Sequence, residues 1–402
     1  MTDQVAGRIV EFMSDRRDDI VGLLCAMASI ESPSLVPETQ MPVQDLVARS
    51  LQECGFEDVR IPGDRTGGHI LLSPRGYEAG RGSTRQGPAQ ILLGHTDTVW
   101  PLGTLEHMPV VVDEEKGVVR GPGVFDMKGG VVQMVFALRA LSELGLQPEV
   151  TPVVFLNSDE EIGSPESHDH VERLAKSASR VLVMEPALSP EGMIKTTRRG
   201  VGQFTIRVVG KASHSGLAPE EGASAIQEMS HVIQFLHGLT DWDKGIAMNV
   251  GTVQGGTRGN VVAAECRGDL DVRVTTLADA RAVEEAIRGL EAQTPGTRVE
   301  IEGAVDRAPM EATPRNVALW EAVRACGLEM GVELVQGMSG GASDGNITSL
   351  HTATVDGLGP VGDGAHAEHE YVDIDKLLER TALLALTLMV PQLNGYRSAR
   401  HV

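Results

Sequence analysis

The segment that decides the fold lies at residues 91–99 and reads Ile91-Leu92-Leu93-Gly94-His95-Thr96-Asp97-Thr98-Val99. Consecutive apolar residues before a glycine indicate a buried β-strand, and the polar residues after them mark its end. Because alternate residues of a strand face the same side, His95 and Asp97 point the same way if the strand continues this far. This arrangement suits an imidazole that binds a metal ion and donates from its other ring nitrogen to a carboxylate.

Four more segments carry a His or an acid in a tight loop or beside a β-like apolar run. They are residues 121–130 with Asp126, 153–163 with Asp159-Glu160-Glu161, 181–186 with Glu185, and 364–371 with His366. Acids at the ends of apolar strands are costly to bury unless a positive charge compensates them. No matching cluster of Lys or Arg accompanies these acids, so one or two divalent metal ions are the simplest compensation.

The pattern yields five candidate metal ligands: His95, Asp126, Glu161, Glu185 and His366. Imidazoles and carboxylates without a thiolate suit Zn²⁺, with Co²⁺ or Mn²⁺ as alternatives. Five ligands exceed one open tetrahedral site and fit two ions about 3.5–4 Å apart that share a bridging carboxylate. Glu160 and Glu161 face opposite ways on an extended backbone, so one can bind metal while Glu160 faces the bridging water as a general base.

Composition excludes several classes of function. The 402 residues carry a formal net charge of −21, which argues against a nucleic-acid partner or an anionic membrane surface. No apolar run reaches the ~18 residues that a membrane span needs. Residues 1–20 lack an apolar signal region, and the four cysteines are scattered. We therefore expect a cytoplasmic protein with reduced thiols.

The alternation of elements predicts an α/β architecture in two domains. Helices are predicted at 5–28, 42–54 and 131–144, and the polar stretch at 74–90 is predicted to be an exposed hairpin or loop. From residue 200 onward the pattern is β-α-β-β-α-β, a ferredoxin-like module. Its predicted elements are strands at 201–209, 247–253, 261–274 and 298–301 and helices at 222–239 and 278–293. Because His366 lies beyond this module, the catalytic domain is expected to be discontinuous, residues 1–199 and 307–402, with 200–306 inserted.

Two other motifs compete with the metal interpretation. Residues 357–362 match G-x-G-x-x-G, but they lead into a His- and acid-rich loop and not into an apolar helix, so a dinucleotide site is disfavoured. Residues 341–345 match the G-x-S-x-G nucleophile motif after a predicted strand at 332–335. This leaves a serine hydrolase using Ser343 and His366 as an alternative, although it gives the other four candidate ligands no purpose.

At these residues the chain resembles the co-catalytic zinc metallopeptidases that include glutamate carboxypeptidase, aminoacylase, acetylornithine deacetylase and succinyl-diaminopimelate desuccinylase, with the glutamate carboxypeptidase branch nearest. The resemblance spans roughly residues 24–384. The segments that carry it are Gly94-His95-Thr96-Asp97-Thr98-Val99, Gly121-Pro122-Gly123 before Asp126, Asp159-Glu160-Glu161, Glu185-Pro186, and Gly210-Lys211-Ala212-Ser213-His214-Ser215-Gly216.

The resemblance implies a role for each candidate. His95 and Glu185 would hold one Zn²⁺, Glu161 and His366 the other, and Asp126 would bridge them, although His369 lies close enough to be confused with His366. Glu160 would be the general base and Asp97 would orient His95. On the inserted module, which serves as lid and dimerisation domain, His214 would stabilise the oxyanion and Asn260 would contact the reacting centre. Arg307, the first residue after the module, would grip the substrate carboxylate. Some relatives have a second Asp where this chain has Met127.

The expected activity is hydrolysis of the amide bond in an N-acyl amino acid or dipeptide with a free carboxylate. Metal-activated water would attack, Glu160 would accept its proton, and no covalent intermediate would form. The resemblance also implies a homodimer formed through the lid. A second alternative is a catalytically silent relative that binds a ligand or partner, but the loss of a metal ligand or of the base that would mark it is not seen.

Overall fold

The computed structural model describes residues 3–77, 88–188 and 190–393. Within these ranges the helices are α1 (Asp3–Asp15), α2 (Arg17–Ala28), α3 (Gln40–Gln52), α4 (Gly129–Glu143), α5 (His168–Ser177), α6 (Ala225–Gly238), α7 (Leu277–Arg288), α8 (Pro314–Glu329), α9 (Asp344–Ser349) and α10 (Ile374–Leu388). None of the helices in the described part of the chain combines the length and apolar character that crossing a membrane requires.

Sixteen strands accompany these helices in the described ranges. They are β1 (Phe56–Ile61), β2 (His69–Pro74), β3 (Ala89–His95), β4 (Val111–Asp113), β5 (Val118–Arg120), β6 (Thr151–Asn157), β7 (Arg180–Val183), β8 (Ile194–Arg198), β9 (Gly200–Val209), β10 (Ala247–Gly255), β11 (Glu265–Val274), β12 (Arg298–Arg307), β13 (Gln336–Ser339), β14 (Ala353–Val355), β15 (Gly362–Asp363) and β16 (Tyr371–Asp373). The predicted α/β class is confirmed.

The first compact unit contains the chain up to Thr196, then Ala312–Met338 and the chain from Ser343 onward. Its main sheet is mixed, with strand order β1-β2-β6-β3-β7-β14. The pairs β6/β3, β3/β7 and β7/β14 are parallel, whereas β1/β2 and β2/β6 are antiparallel. A smaller sheet, β15-β16-β5-β4, brings the chain after the predicted ligand His366 beside the segment before Asp126.

Helices cover both faces of the main sheet, which explains its nearly continuous apolar strands. Along β3, Leu92 belongs to the larger core with α2, α4 and α10, while Ile91 and Leu93 belong to a second core with α5. Successive residues of a strand point to opposite faces, so β3, β6 and β7 each contribute to both cores. This sandwich holds β3, β6 and β7 in a fixed register.

The second unit contains Thr197–Glu311 and Ser339–Ala342. Its antiparallel sheet has the order β10-β11-β9-β12, and α6 and α7 pack on one face around a core of their own. In chain order the elements run β9-α6-β10-β11-α7-β12, the predicted ferredoxin-like module. The predicted division assigned residues 339–342 to the catalytic domain, but they belong to the second unit. They are held there because Arg198 Nη1 donates to Gly341 O at 3.1 Å and Arg199 N donates to Ser339 O at 3.0 Å.

Some predicted elements differ from the structure. The helix predicted at 5–28 is two helices that break at Arg16, where φ is −105° and ψ is 14°. Buried residues continue at helical spacing across the break, so the sequence pattern reads as one helix. The strand predicted at 261–274 begins at Glu265, because Val261 bridges His214 and Val262 N donates to Ser213 O at 2.9 Å.

One further predicted element differs. The strand predicted at 332–335 is shifted, because the observed strand β13 starts at Gln336. Of the loop predicted at 74–90, residues 78–87 lie outside the described residues.

Candidate metal centre

The candidate ligands gather at the carboxyl ends of neighbouring parallel strands. His95 is the last residue of β3, Glu161 lies in a 3₁₀ turn after β6, and Glu185 follows β7 by two residues. In register, His95 pairs with Asn157 of β6 and Leu93 with Val183 of β7, so the three strands end side by side. This edge of an open α/β sheet is the usual place for a binding site.

The first cluster consists of His95, Asp126 and Glu185. His95 Nε2 lies 3.4 Å from Asp126 Oδ1 and 3.4 Å from Glu185 Oε1. These distances are long for N–H···O hydrogen bonds. Two ligands that each lie about 2.0–2.2 Å from one tetrahedral ion are roughly 3.3–3.6 Å apart, which matches the observed spacing.

The second cluster consists of Asp126, Glu161 and His366. His366 Nε2 lies 3.4 Å from Asp126 Oδ2 and 3.1 Å from Glu161 Oε2. Asp126 therefore presents Oδ1 to the first cluster and Oδ2 to the second. A carboxylate shared in this way is the bridge that two neighbouring divalent ions need.

Unsatisfied polar atoms show that a cation fits these clusters. His95 Nε2, Asp126 Oδ1 and Glu161 Oε1 are buried and have no hydrogen-bond partner among the described residues. Buried polar atoms are almost always paired in native proteins, so each such atom needs an explanation. A divalent ion in the first cluster would satisfy His95 Nε2 and Asp126 Oδ1, and an ion in each cluster would compensate the buried carboxylates.

His95 is prepared as a ligand by its other ring nitrogen. Nδ1 lies 2.9 Å from the backbone oxygen of Asp97 and 3.4 Å from its carboxylate. Because a carbonyl oxygen only accepts hydrogen bonds, Nδ1 carries the proton and Nε2 presents its lone pair. Asp97 is the residue predicted to orient His95, and its backbone oxygen lies closer to Nδ1 than its carboxylate does.

The carboxylate of Asp97 has further partners in the loop that carries the two acids. It lies 3.3 Å from the backbone N of Glu160 and 3.2 Å from that of Glu161, and it accepts a 2.6 Å hydrogen bond from Ser34 Oγ. The prediction of an extended backbone at Glu160–Glu161 is wrong, because Glu160–Ile162 forms a 3₁₀ turn. Glu161 lies in the second cluster, whereas Glu160 lies in neither.

Charge and burial shift the titration of this site. Burial, followed by the nearby charge of Glu185, raises the pKa of Glu160 well above its usual range. Burial also raises the pKa of Glu161, to about 7. The carboxylates of Asp126 and Glu161 raise the pKa of His366 to about 10. Acids and imidazoles thus compensate one another only in part, which is the electrostatic pattern of a cation site.

The structure brings in one residue that the sequence prediction missed. The side chain of Glu370 is fully buried, and its carboxylate accepts hydrogen bonds from the backbone of Gly123, Phe125 and Asp126 and from Trp100 Nε1. Its only signal in the sequence was its place in the segment 364–371. Met127, where some relatives have Asp, packs against position 94: its Cε would lie 2.5 Å from a Cβ there, so Gly94 accommodates this side chain beside Asp126.

The loop of Glu160 and Glu161 is braced from outside the cluster. Asp344 accepts hydrogen bonds from Asn157 Nδ2 at 2.6 Å and from Ser164 Oγ at 2.5 Å. Asp159 Oδ2 accepts from the backbone of Glu166 at 2.7 Å. These bonds fix both ends of the turn that carries the two acids.

Three other candidates lie in the second unit. His214 and Asn260 are exposed neighbours, because Ser215 N donates to Asn260 O at 3.1 Å and His214 bridges Val261. The backbone N of Gly216 donates to His214 Nδ1 at 3.1 Å. Arg307 ends β12, where it pairs in register with Val201.

The competing motifs have structural explanations. Ser343 is 2% exposed and is the N-cap of α9, and its Oγ donates to Asp356 Oδ2 at 2.6 Å. In the G-x-G-x-x-G segment, a Cβ at Gly359 would collide with Met184 O, and the backbone N of Gly359 donates to Glu185 O at 2.9 Å. These glycines allow close packing against the segment of Glu185. His369 is exposed and belongs to neither cluster.

Comparison with known sequences identifies relatives over most of the chain. The model of peptidase family M20/M25/M40 matches residues 91–390. Carboxypeptidase G2 of Pseudomonas sp. (strain RS-16) is 28% identical over 387 residues, which cover 94% of this chain and 90% of the relative. A succinyl-diaminopimelate desuccinylase of Ruegeria pomeroyi is 29% identical over 357 residues, which cover 84% of this chain and 90% of the relative.

Solved structures with the same fold include aminopeptidase PepT from Bacillus cereus, with a TM-score of 0.75 and 19% identity over 93% of this chain and 98% of that one. The YXEP protein of Bacillus subtilis, described as a dinuclear metal binding peptidase from the M20 family, gives a TM-score of 0.67 and 16% identity over 94% and 98%. The family model covers well over half of the chain, and the resemblance to the zinc metallopeptidases is confirmed. The chain belongs to peptidase family M20/M25/M40 and is a metallohydrolase.

Proposed function

We propose that this protein hydrolyses the amide bond of an N-acyl amino acid or dipeptide with a free carboxylate, using two Zn²⁺ ions per chain. The observation that carries the proposal is Asp126, whose two carboxylate oxygens face two separate groups of ligand atoms. The relatives named carboxypeptidase and succinyl-diaminopimelate desuccinylase support this substrate class. Co²⁺ or Mn²⁺ would suit the same ligands.

The residues divide the work between binding and proton transfer. His95 and Glu185 would hold one ion, Glu161 and His366 the other, with Asp126 as the bridge. Two bound divalent ions supply Lewis-acid activation of water and of the substrate carbonyl. Glu160, outside both ligand groups, accepts the proton of the attacking water and passes it to the leaving amine. Asp97 holds the backbone of Glu160 in position.

The residues of the second unit complete the proposal. His214 stabilises the oxyanion, Asn260 contacts the reacting centre, and Arg307 binds the substrate carboxylate. We further propose a homodimer formed through this unit. The dimer is supported by β10, which lies at an edge of its sheet among the described strands and has exposed residues from Gly251 to Gly255. Such an edge offers unpaired backbone groups to a second chain.

The alternatives are weaker on the same observations. A serine hydrolase needs a free Ser343 hydroxyl beside His366, but Ser343 caps α9 and donates to Asp356, while His366 lies against Asp126 and Glu161. A catalytically silent relative is not favoured, because both metal clusters and Glu160 are present.

Metal content and chelation test the proposal. Elemental analysis of the active protein is expected to find about two divalent ions per chain, because two ligand clusters share one bridge. Removal of the ions with EDTA should abolish turnover of N-acyl amino acids, and added Zn²⁺ should restore it. Full activity in metal-free protein would exclude the two-metal mechanism and would favour the serine hydrolase instead.

Substitution of Arg307 tests the carboxylate site. Arg307→Ala is expected to raise KM by about 10- to 100-fold for substrates with a free α-carboxylate, since a charged hydrogen bond of about 1.5–3 kcal/mol is lost. Amidated substrates should be poor for the wild type and little affected by the change. Arg298→Ala, on the exposed start of the same strand, is the matched control and should keep the wild-type KM. Equal wild-type turnover of amide and acid would contradict this role.

A further inference from the structure

We propose that Glu370 is a positioning residue for the metal centre, and that it supports the second ligand cluster more strongly than the first. This inference rests on the proposed two-metal function and adds a residue outside the ligand set. The carboxylate of Glu370 would hold the backbone of Asp126 in place and would fix the turn that carries His366.

Both carboxylate oxygens of Glu370 accept hydrogen bonds, three of them from the backbone of the segment that carries Asp126. Oε1 accepts from the backbone N of Phe125 at 2.9 Å and of Asp126 at 3.0 Å. Oε2 accepts from the backbone N of Gly123 at 2.9 Å and from Trp100 Nε1 at 3.0 Å. Each carboxylate oxygen accepts two hydrogen bonds, and the side chain is 0% exposed. The carboxylate therefore acts as the anion around which the turn closes. The backbone of the bridging ligand is thereby fixed.

The same residue is joined to His366 through a short turn. Ala367 N donates to Gly364 O at 2.9 Å, and Glu370 N donates to Ala367 O at 2.9 Å. His366 has a φ of +61°, and its side chain is 53% exposed. Apart from its contacts with Asp126 and Glu161, about half of the His366 side chain faces solvent, so its backbone position depends on the turn that Glu370 ends.

The remaining ligands of the first cluster are held by other elements. His95 ends β3 in the centre of the main sheet, and the Glu185 segment is bonded to Gly359. Loss of Glu370 would weaken the support of one of three ligands in the first cluster, Asp126. In the second cluster it would weaken two of three, Asp126 and His366. A residue that merely stabilised the fold would not separate the two sites.

The test is a calorimetric titration of chelator-treated, full-length protein with Zn²⁺. Wild-type protein should show two binding events, and His366→Ala identifies the second-site event by losing it. Glu370→Gln keeps the shape but replaces one acceptor oxygen with a donor that faces two N–H groups. It is expected to weaken the second-site event by about 10- to 100-fold, the usual effect of removing an outer partner of a metal ligand, and the first-site event by less.

Two further variants keep the test decisive. Glu228→Gln is the matched control, because Glu228 is also 0% exposed and accepts backbone hydrogen bonds from Gln293 and Thr294 in the second unit. It should leave both events unchanged. If circular dichroism shows that Glu370→Gln does not fold, Trp100→Phe takes its place. This variant removes one hydrogen-bond donor to Glu370 and should weaken the second-site event to a smaller degree.

The outcomes separate this inference from the proposed function. Wild-type protein that binds no Zn²⁺ would overturn the proposed function itself. Two wild-type events that Glu370→Gln leaves unchanged, or weakens equally, would overturn only the role of Glu370. An equal loss in Glu228→Gln would show that any buried carboxylate has this effect and would also overturn it.

Discussion

Glu160→Ala is expected to lower kcat by about 10²- to 10⁴-fold, the usual effect of removing a general base, while the protein keeps both metal ions. The metal content should persist because Glu160 belongs to neither ligand cluster. Its raised pKa, caused first by burial and then by the charge of Glu185, suits a group that must accept a proton and release it again. Steady-state kinetics and elemental analysis of the same preparation measure both outcomes.

Two neighbouring variants make this prediction specific. Glu160→Gln keeps the size of the side chain but cannot accept the proton, so its kcat should fall as far as that of the alanine variant. Glu161→Ala should instead lose metal, because Glu161 Oε2 lies 3.1 Å from His366 Nε2 within the second cluster. If Glu160→Ala loses metal and Glu161→Ala keeps it, the roles of the two adjacent acids are reversed.

The gathering of the candidate ligands could be predicted because their positions follow from local sequence. His95 and Glu185 each lie at the end of a short apolar run, and neighbouring parallel strands place such ends along one edge of the sheet. The inserted module was recognisable for a similar reason, since β9 and β11 alternate buried and less buried residues along their length. Periodicity and strand ends are properties that a single sequence displays.

The supporting contacts could not be predicted because they join distant parts of the chain. Glu370 accepts from the backbone of Gly123, 247 residues away, and backbone donors leave no pattern in side-chain identity. Ser34 donates to Asp97 across 63 residues. Only the fold brings such partners together.

The turn at Glu160 shows a different limit. The apolar run before it favoured a continued extended backbone, but Gly163 N donates to Glu160 O at 2.8 Å and Ser164 N to Asp159 O at 2.7 Å. The first of these bonds closes the 3₁₀ turn Glu160–Ile162, which begins shortly after the strand ends at Asn157. The adjacent acids still occupy different environments, but the turn, and not the alternation of a strand, separates them.

The second large effect is expected at His214. The resemblance implies that lids pair between subunits and that the equivalent His can enter the active site of the neighbour. In the homodimer proposed above, we therefore expect His214 to act in trans. His214→Ala should lower kcat by about 10²- to 10³-fold, as loss of an oxyanion donor does, without changing metal content. His237→Ala, an exposed His of the same unit, is the matched control and should retain wild-type kinetics.

Hybrid dimers distinguish action in trans from action within one chain. Glu160→Ala and His214→Ala chains carrying different affinity tags would be produced together, and dimers containing both tags would be purified. In such a dimer the His214→Ala chain has an intact Glu160 and receives His214 from its partner, so one of the two sites regains function. Action within one chain leaves both sites defective, since each chain lacks one of the two groups. An inactive hybrid of verified composition would therefore exclude the trans arrangement, whereas about half of the wild-type activity per dimer would establish that each site is built from two chains.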